Sequence, residues 1–260
     1  YVQADREAEG TLADVVRQAF GGGEVEVRGD AVKYSRVVRT SGMLDFSLVS
    51  FNAAMTLNVQ RRLEFESQYP IVKMADLSTL LKRGKSPVYG VSNVQVIKSG
   101  QARGFYKFDF AKKYYLAPEV ELDERKLQRG DILINSTGVG TAGRVTAFHF
   151  DGDYVADNHI TIFRPKDSVL SSYVLFILAV GIGFSTLEQM ASGASGQIEL
   201  ALKTIANIKI PFPPLEIQQQ VVSECEIINT EYNTSRMTIE DYKAKIMAVF
   251  NRLGVILSNS

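Results

Sequence analysis

The chain of 260 residues has one cysteine, Cys225, and two histidines, His149 and His159. A lone thiol forms no internal disulfide, and one Cys with two His does not furnish a zinc site. Metal-free chemistry in a cytoplasmic setting is the expectation. Net charge is missing as well, since 29 Lys and Arg balance 29 Asp and Glu. Taken as a sum, neutrality argues against nucleic acid, because domains that bind it are usually basic. The best apolar run, residues 173–184, has about a dozen residues against the roughly 20 needed to cross a bilayer, and reads as a buried helix. No charged stretch followed by an apolar one opens the chain, so no secretory leader is expected. Without secretion the glycosylation-type triplets at Asn135 and Asn233 carry little meaning. The chain opens on Tyr1 rather than Met, which leads us to expect a piece of something longer.

What is present is ordinary globular material, 45% apolar and 22% charged, enough for one large or two modest domains. Residues 1–66 read as an extension. Leu12, Val15, Val16 and Ala19 lie on one helix face within residues 5–20, and Gly21-Gly22-Gly23 ends that helix. A polar stretch over 60–68 then precedes Tyr69-Pro70, a linker signal. Residues 67–214 have the texture of a mixed α+β, sheet-rich domain. Strands are expected near 71–74, 88–91, 131–135, 144–150, 154–155, 159–163 and 205–210, with a helix over 171–192. Pro211-Phe212-Pro213-Pro214 closes the domain.

Residues 215–260 carry the clearest periodicity. Ile217, Val221, Cys225, Ile228, Tyr232, Ser235, Ile239, Tyr242, Ile246 and Val249 recur every three or four residues, close to the coiled-coil period. A single helix over 215–252 would be about 57 Å long, with Gly254 as its stop. One apolar seam of that length calls for a partner helix; the alternative is packing against its own domain, which looks too short to cover it.

Gly138-Val139-Gly140-Thr141-Ala142-Gly143 matches the glycine fingerprint of dinucleotide sites. That chemistry needs a helix N-terminus after the glycines to hold the pyrophosphate, whereas residues 144–150 read as a strand. A glycine-rich hairpin loop is the favoured reading, with a nucleotide-dependent enzyme as the alternative.

The neutral sum hides a segregated distribution. Residues 1–30 hold seven acids and three bases, while residues 82–113 hold eight bases and one acid, Asp109. The bases are Lys82, Arg83, Lys85, Lys98, Arg103, Lys107, Lys112 and Lys113, interleaved with Tyr89, Phe105, Tyr106, Phe108, Phe110, Tyr114 and Tyr115. Basic side chains position a protein on phosphates, while arginines, amides and hydroxyls read base edges. All eight are candidate phosphate contacts, and Arg103 is also a candidate for a bidentate guanine contact. A solvated basic face remains the alternative.

Several segments resemble, in order, the target recognition domain of type I restriction-modification specificity subunits. Val72-Lys73-Met74-Ala75-Asp76-Leu77 and Lys82-Arg83-Gly84-Lys85-Ser86-Pro87 are similar to that family's opening strand and turn, and Ile97-Lys98-Ser99-Gly100 follows. Leu127-Gln128-Arg129-Gly130-Asp131-Ile132-Leu133-Ile134 is similar to its glycine-aspartate strand, and residues 135–144 and 156–159 to its later turns. Residues 193–197 and the run from Ile208 through Pro213-Pro214-Leu215 to Gln220 resemble its loop and its proline-rich entry into a spacer helix. The resemblance covers residues 69–249. Upstream, residues 43–73 look like the junction where an adenine methyltransferase is fused to such a domain.

The resemblance implies recognition of double-stranded DNA rather than catalysis. The catalytic subunit's asparagine-proline-proline-aromatic motif is absent, and S-adenosylmethionine is expected on a methyltransferase domain or subunit. A restriction or translocase subunit is a further implied partner. Family members carry two recognition domains and two spacer helices; this chain has one of each. It therefore resembles a half-unit that pairs with a second copy through Ile217, Val221, Ile228, Tyr232, Ile239, Tyr242, Ile246 and Val249. Asn135, Ser136 and Thr137 in one loop, with Ser192, Ser195 and Gln197 in another, are DNA-contact candidates and equally good turn formers. Asn158 and His159 read as turn residues, and Cys225 as a buried apolar group.

Overall fold

A computed structural model describes residues 65–193, 197–235 and 237–257. The expectations for residues 1–64, the acidic helix among them, lie outside the described residues, as does Ser195. The chain divides into a unit of residues 1–62 and a unit of residues 63–260, so the C-terminal helices belong to the same unit as the sheets.

The central sheet is antiparallel, in the order β2 (Ser78–Arg83), β8 (Ile160–Pro165), β5 (Ile132–Asn135), β6 (Val145–Ala147). Alternation along β5 explains its position. Ile132 and Ile134 point into the larger core with Phe163, while Leu133 points into a second core with Leu80, Ile160 and Ile162. A strand buried on both faces reads as an unbroken apolar run, as this one does. A smaller sheet places β3 (Gln95–Ile97) between antiparallel β4 (Tyr114–Tyr115) and parallel β7 (Tyr154–Ala156). The two ends of the β-rich region meet where β1 (Ile71–Lys73) pairs with β9 (Lys209–Pro211).

The expected helix over 171–192 forms as α1 (Ser171–Phe176), a π-helical turn (Ile177–Gly183) and α2 (Phe184–Gln189). By length and composition, Ser171–Gln189 would suit a membrane span. Its residues from Tyr173 to Leu178 are instead fully buried in the larger core.

Three strand expectations need correction. Residues 205–207 belong to helix α3 (Leu202–Asn207), and only then does β9 begin. Ile205 and Ile208, three apart, both reach the core, a helical spacing that a short apolar run does not distinguish from a strand. Residues 88–91 form no strand; Tyr89 alone makes an isolated bridge, to Leu116, and Val91 is 93% exposed. The strand expected over 144–150 is shorter, Val145–Ala147. Within the opening turn, Gly84 is required by close approach, because a Cβ there would stand 2.2 Å from the Asp157 carbonyl oxygen.

A long helix does leave the proline-rich segment, as α4 (Leu215–Thr234), but it does not run to residue 252. The chain breaks and returns as α5 (Ile239–Arg252). Thr238 caps α5, its Oγ1 accepting from the Asp241 amide at 3.1 Å. The helices run antiparallel: Lys245 pairs with Glu231 at 2.7 Å, and one pair further along Arg252 meets Glu224. Tyr232 packs on Tyr242 between them, ring centroids 4.7 Å apart. Gly254, at φ +68°, follows the end of α5 as expected of a stop.

In this hairpin most of the seam expected to face a second copy packs instead against the chain's own body. Val221, Tyr242, Ile246 and Val249 are buried in the chain's own core, with Ile217, Ile228 and Tyr232 packed against it. Of the eight seam residues, Ile239 alone is exposed, at 38%. Each helix has its own apolar face, and folding back brings both faces onto one body.

Candidate nucleic-acid interface

The basic candidates separate into two groups. Lys82 and Arg83 end β2, and Lys85 follows Gly84. All three are matched by carboxylates. Lys82 Nζ lies 2.5 Å from Glu124, Lys85 Nζ 2.7 Å from Asp123, and Arg83 Nη2 2.8 Å from Glu199. Arg83 also donates to the carbonyls of Asn158 and Leu200, which ties it into the fold. The paired lysines hold the carboxyls of Asp123 and Glu124 below the usual carboxylate range.

The second group lies between β3 and β4. Lys98 Nζ sits 4.7 Å from the Tyr114 ring centroid and 5.7 Å from that of Tyr89, a cation–π seat, and makes no ion pair with a described residue. Arg103 pairs with Asp109 at 2.9 Å, which holds the Asp109 carboxyl low. Lys107, Lys112 and Lys113 are exposed and make no ion pair with any described residue. The interleaved aromatics mostly build the interior. Phe105 packs against Phe176 and Tyr242, and Phe108 stacks on Phe110 beside Phe148 and Phe150.

The loop candidates divide in the same way. Asn135 and Ser136 are fully buried, so neither presents a side chain to a ligand. Asn135 donates to the carbonyls of Ser99, at 2.8 Å, and Ala102, tying down the 98–102 turn. Ser136 Oγ meets Thr161 Oγ1 at 2.6 Å across the strands. Both are turn-holding residues, the alternative that their composition left open. Thr137 is half-buried, its hydroxyl 2.7 Å from His159 Nδ1. Gln197 is exposed on the 192–199 loop, which closes where the Ser192 and Glu199 backbones exchange hydrogen bonds. That loop meets the glycine turn where the Gly138 amide donates to the Ile198 carbonyl, so Thr137, His159 and Gln197 share one neighbourhood.

The glycine run leads into β6, a strand, and not into the helix N-terminus that a dinucleotide site requires. Beside it stands a cation that sequence reasoning left out, Arg144, whose only signal was being the one base at the end of the glycine run. Asp157, also overlooked, accepts the His159 amide at 3.0 Å and is pushed above the usual carboxylate range, chiefly by burial. Among the described residues no group of three or more His, Cys, Asp and Glu is placed to hold a metal.

Residues 60–235 match the family described as the type I restriction modification DNA specificity domain, and the chain belongs to that family. No curated protein sequence matches it. Among solved structures it is similar to a chain described under complex assembly and conformational transition of the type I R-M system. There the identity is 15% and the TM-score 0.52, covering 75% of this chain and 46% of that one. The HsdS subunit from Thermoanaerobacter tengcongensis gives 15% identity and a TM-score of 0.47, over 75% of this chain and 47% of that one. The type I S subunit from M. genitalium gives 12% and 0.45, over 66% and 42%. The chain thus spans less than half the length of these relatives.

Proposed function

We propose that this chain binds one half-site of duplex DNA as the recognition module of an adenine-N6 methyltransferase in a restriction-modification system. One observation carries the placement of the interface. Of the eight bases in residues 82–113, Lys107, Lys112 and Lys113 alone are exposed with neither a carboxylate nor an aromatic partner. Free ammonium groups on one connection suit the phosphate contacts that dominate DNA affinity. Lys98, Arg103, Thr137 and Gln197 extend the same reading, while Lys82, Arg83 and Lys85 first have to leave their acids.

In this reading a methyltransferase domain or subunit supplies the S-adenosylmethionine chemistry in the cytoplasm, and this chain supplies targeting. A restriction or translocase subunit joins the same assembly. The test is DNA affinity across a salt series, alone and in the assembled methyltransferase. Each phosphate contact contributes about 0.9 to the slope of log affinity against log salt. Converting Lys107, Lys112 and Lys113 to Glu is expected to weaken binding and flatten that slope. Affinity indifferent to salt, or to these changes, would overturn the placement.

A further inference from the structure

The turn 103–107 lies along the outer edge of β6. The Phe105 amide donates to the Val145 carbonyl at 2.8 Å, the Ala147 amide to the Phe105 carbonyl at 2.6 Å, and the Gly104 amide to Thr146 Oγ1 at 2.9 Å. Arg103 and Lys107 close the turn through a backbone hydrogen bond of 2.9 Å. This covering of an edge strand brings the turn over Arg144, which enters β6: a Cβ on Gly104 would stand 3.5 Å from Arg144 Cγ. Phe105 takes φ +53°, the one non-glycine residue in the left-handed region among the described residues. That conformation costs about 1–2 kcal/mol and persists where packing enforces it, here the contacts of its ring with Phe176 and Tyr242.

Arg144 is left incompletely satisfied. It is half-buried and has no ion pair with any described acid. Nη2 donates to the Gly140 carbonyl at 3.1 Å, but Nη1 is buried with no hydrogen-bond partner. The nearby carboxylate of Glu188 is engaged elsewhere, accepting the Gly140 amide at 2.6 Å. Burial and the neighbouring charge of Arg103 both act against the Arg144 guanidinium. Asp109 is the acid paired with Arg103, while Lys107 and Arg144 form no ion pair with a described residue. A partly desolvated guanidinium with an unused donor beside a like charge costs free energy in the free protein.

We infer that Arg103 and Arg144 form a phosphate-binding pair, with a phosphodiester of the DNA backbone as its ligand. The inference rests on the DNA-binding reading. A phosphate group brings negative charge to two like-charged guanidiniums and accepts N–H bonds from them once Arg144 Nη1, buried in the free protein, turns outward to meet it. Lys107, on the same turn, adds charge without directionality.

The experiment uses the full chain carrying Arg144→Gln, a mixed-sequence duplex in a salt series, and thermal unfolding. The expected result is a loss of about tenfold in affinity, a salt slope lower by about one, and an unfolding midpoint unchanged or raised. Arg144→Lys is expected to restore the slope but not the affinity. A lowered midpoint with unchanged DNA affinity would show a purely structural arginine and overturn the inference. If Lys107→Glu weakens binding and Arg144→Gln does not, the inference fails while the DNA reading stands. A second probe is inorganic phosphate alone, followed through the Arg144 side-chain NMR resonance. A saturable shift that Arg103→Gln abolishes supports the pair as a phosphate site, and no shift overturns it. A shift without any DNA binding would assign the pair to a free phosphate group and overturn the phosphodiester.

Discussion

Phe105 meets Tyr242 edge to face, with ring centroids 5.7 Å apart and planes crossing at 77°. The contact joins the turn that carries Arg103 and Lys107 to helix α5 of the C-terminal hairpin. The hairpin thereby braces a backbone turn that is strained at Phe105. Phe105→Ala is expected to cost about 2–3 kcal/mol and Tyr242→Ala about 3–5 kcal/mol, since both remove core packing. Their double-mutant cycle should show a coupling of about 0.5–1.5 kcal/mol, measured by urea unfolding. Additive losses would mean that the hairpin does not hold the turn.

Asp131 explains why a glycine-aspartate pair opens β5. Its side chain is fully buried, with Oδ1 and Oδ2 each accepting from Arg164 at 2.8 Å, and Oδ2 also from the Gln128 amide. Arg164 reaches on to the carbonyls of Glu124 and Lys126. Removing the carboxylate strands a guanidinium whose side chain is only 16% exposed. Asp131→Ala should therefore cost about 3–5 kcal/mol in chemical denaturation, whereas loss of the exposed pair through Lys82→Ala should leave the denaturation midpoint nearly unchanged. Equal effects would refute this ranking.

Local signals carried much of the fold. β5 and β8 were legible because their apolar runs are continuous and bounded by turn residues, and the proline-rich entry into α4 was legible for the same reason. The break at Ser235 was hidden because the heptad spacing passes through it unchanged; the Thr238–Asp241 cap was its one local mark. The basic stretch was visible, but not the acids that answer it. Glu124 and Glu199 lie 42 and 116 residues from Lys82 and Arg83, respectively, and only the tertiary fold brings them together. Asn135 and Ser136 looked like loop residues because composition does not report that the end of β5 is buried.

Asp157 gives the fold a pH dependence of known sign. Burial raises its carboxyl above the ordinary value of 3.8. Below both values the folded and unfolded chains are protonated alike. As pH rises from that ordinary value to the raised one, the unfolded chain ionises first, so the stability from this group falls and then levels off. Asp157→Asn removes that loss while keeping an oxygen for the His159 amide. Urea midpoints at about pH 4 and about pH 7 should show the variant gaining on the native chain at the higher pH. A constant offset from the amide cancels in this comparison, and a gap that stays flat or narrows would refute it.

Cys225 is fully buried on α4, and its thiol is pushed up to about 12, first by burial and then by Glu224 and Glu226. The thiolate needed for alkylation is then scarce near neutral pH. Iodoacetamide should leave the native chain unmodified and label it only after unfolding. Labelling as fast as that of free cysteine would contradict the burial.

Two isoleucines on α5 separate a self-associating seam from an internal one. Ile246 is fully buried and packs in the larger core, while Ile239 is 38% exposed at the start of the helix. If the seam served a second copy, lysine at either position would convert a dimer to a folded monomer. With the seam turned inward, the two substitutions part company. Ile246→Lys buries an unpaired charge and should unfold the chain or lower its stability by more than about 4 kcal/mol. Ile239→Lys should change stability by about 0.5 kcal/mol or less and leave the mass in light scattering unchanged. A folded Ile246→Lys protein with half the native mass would restore the dimeric seam and refute the packing of α5 on its own domain.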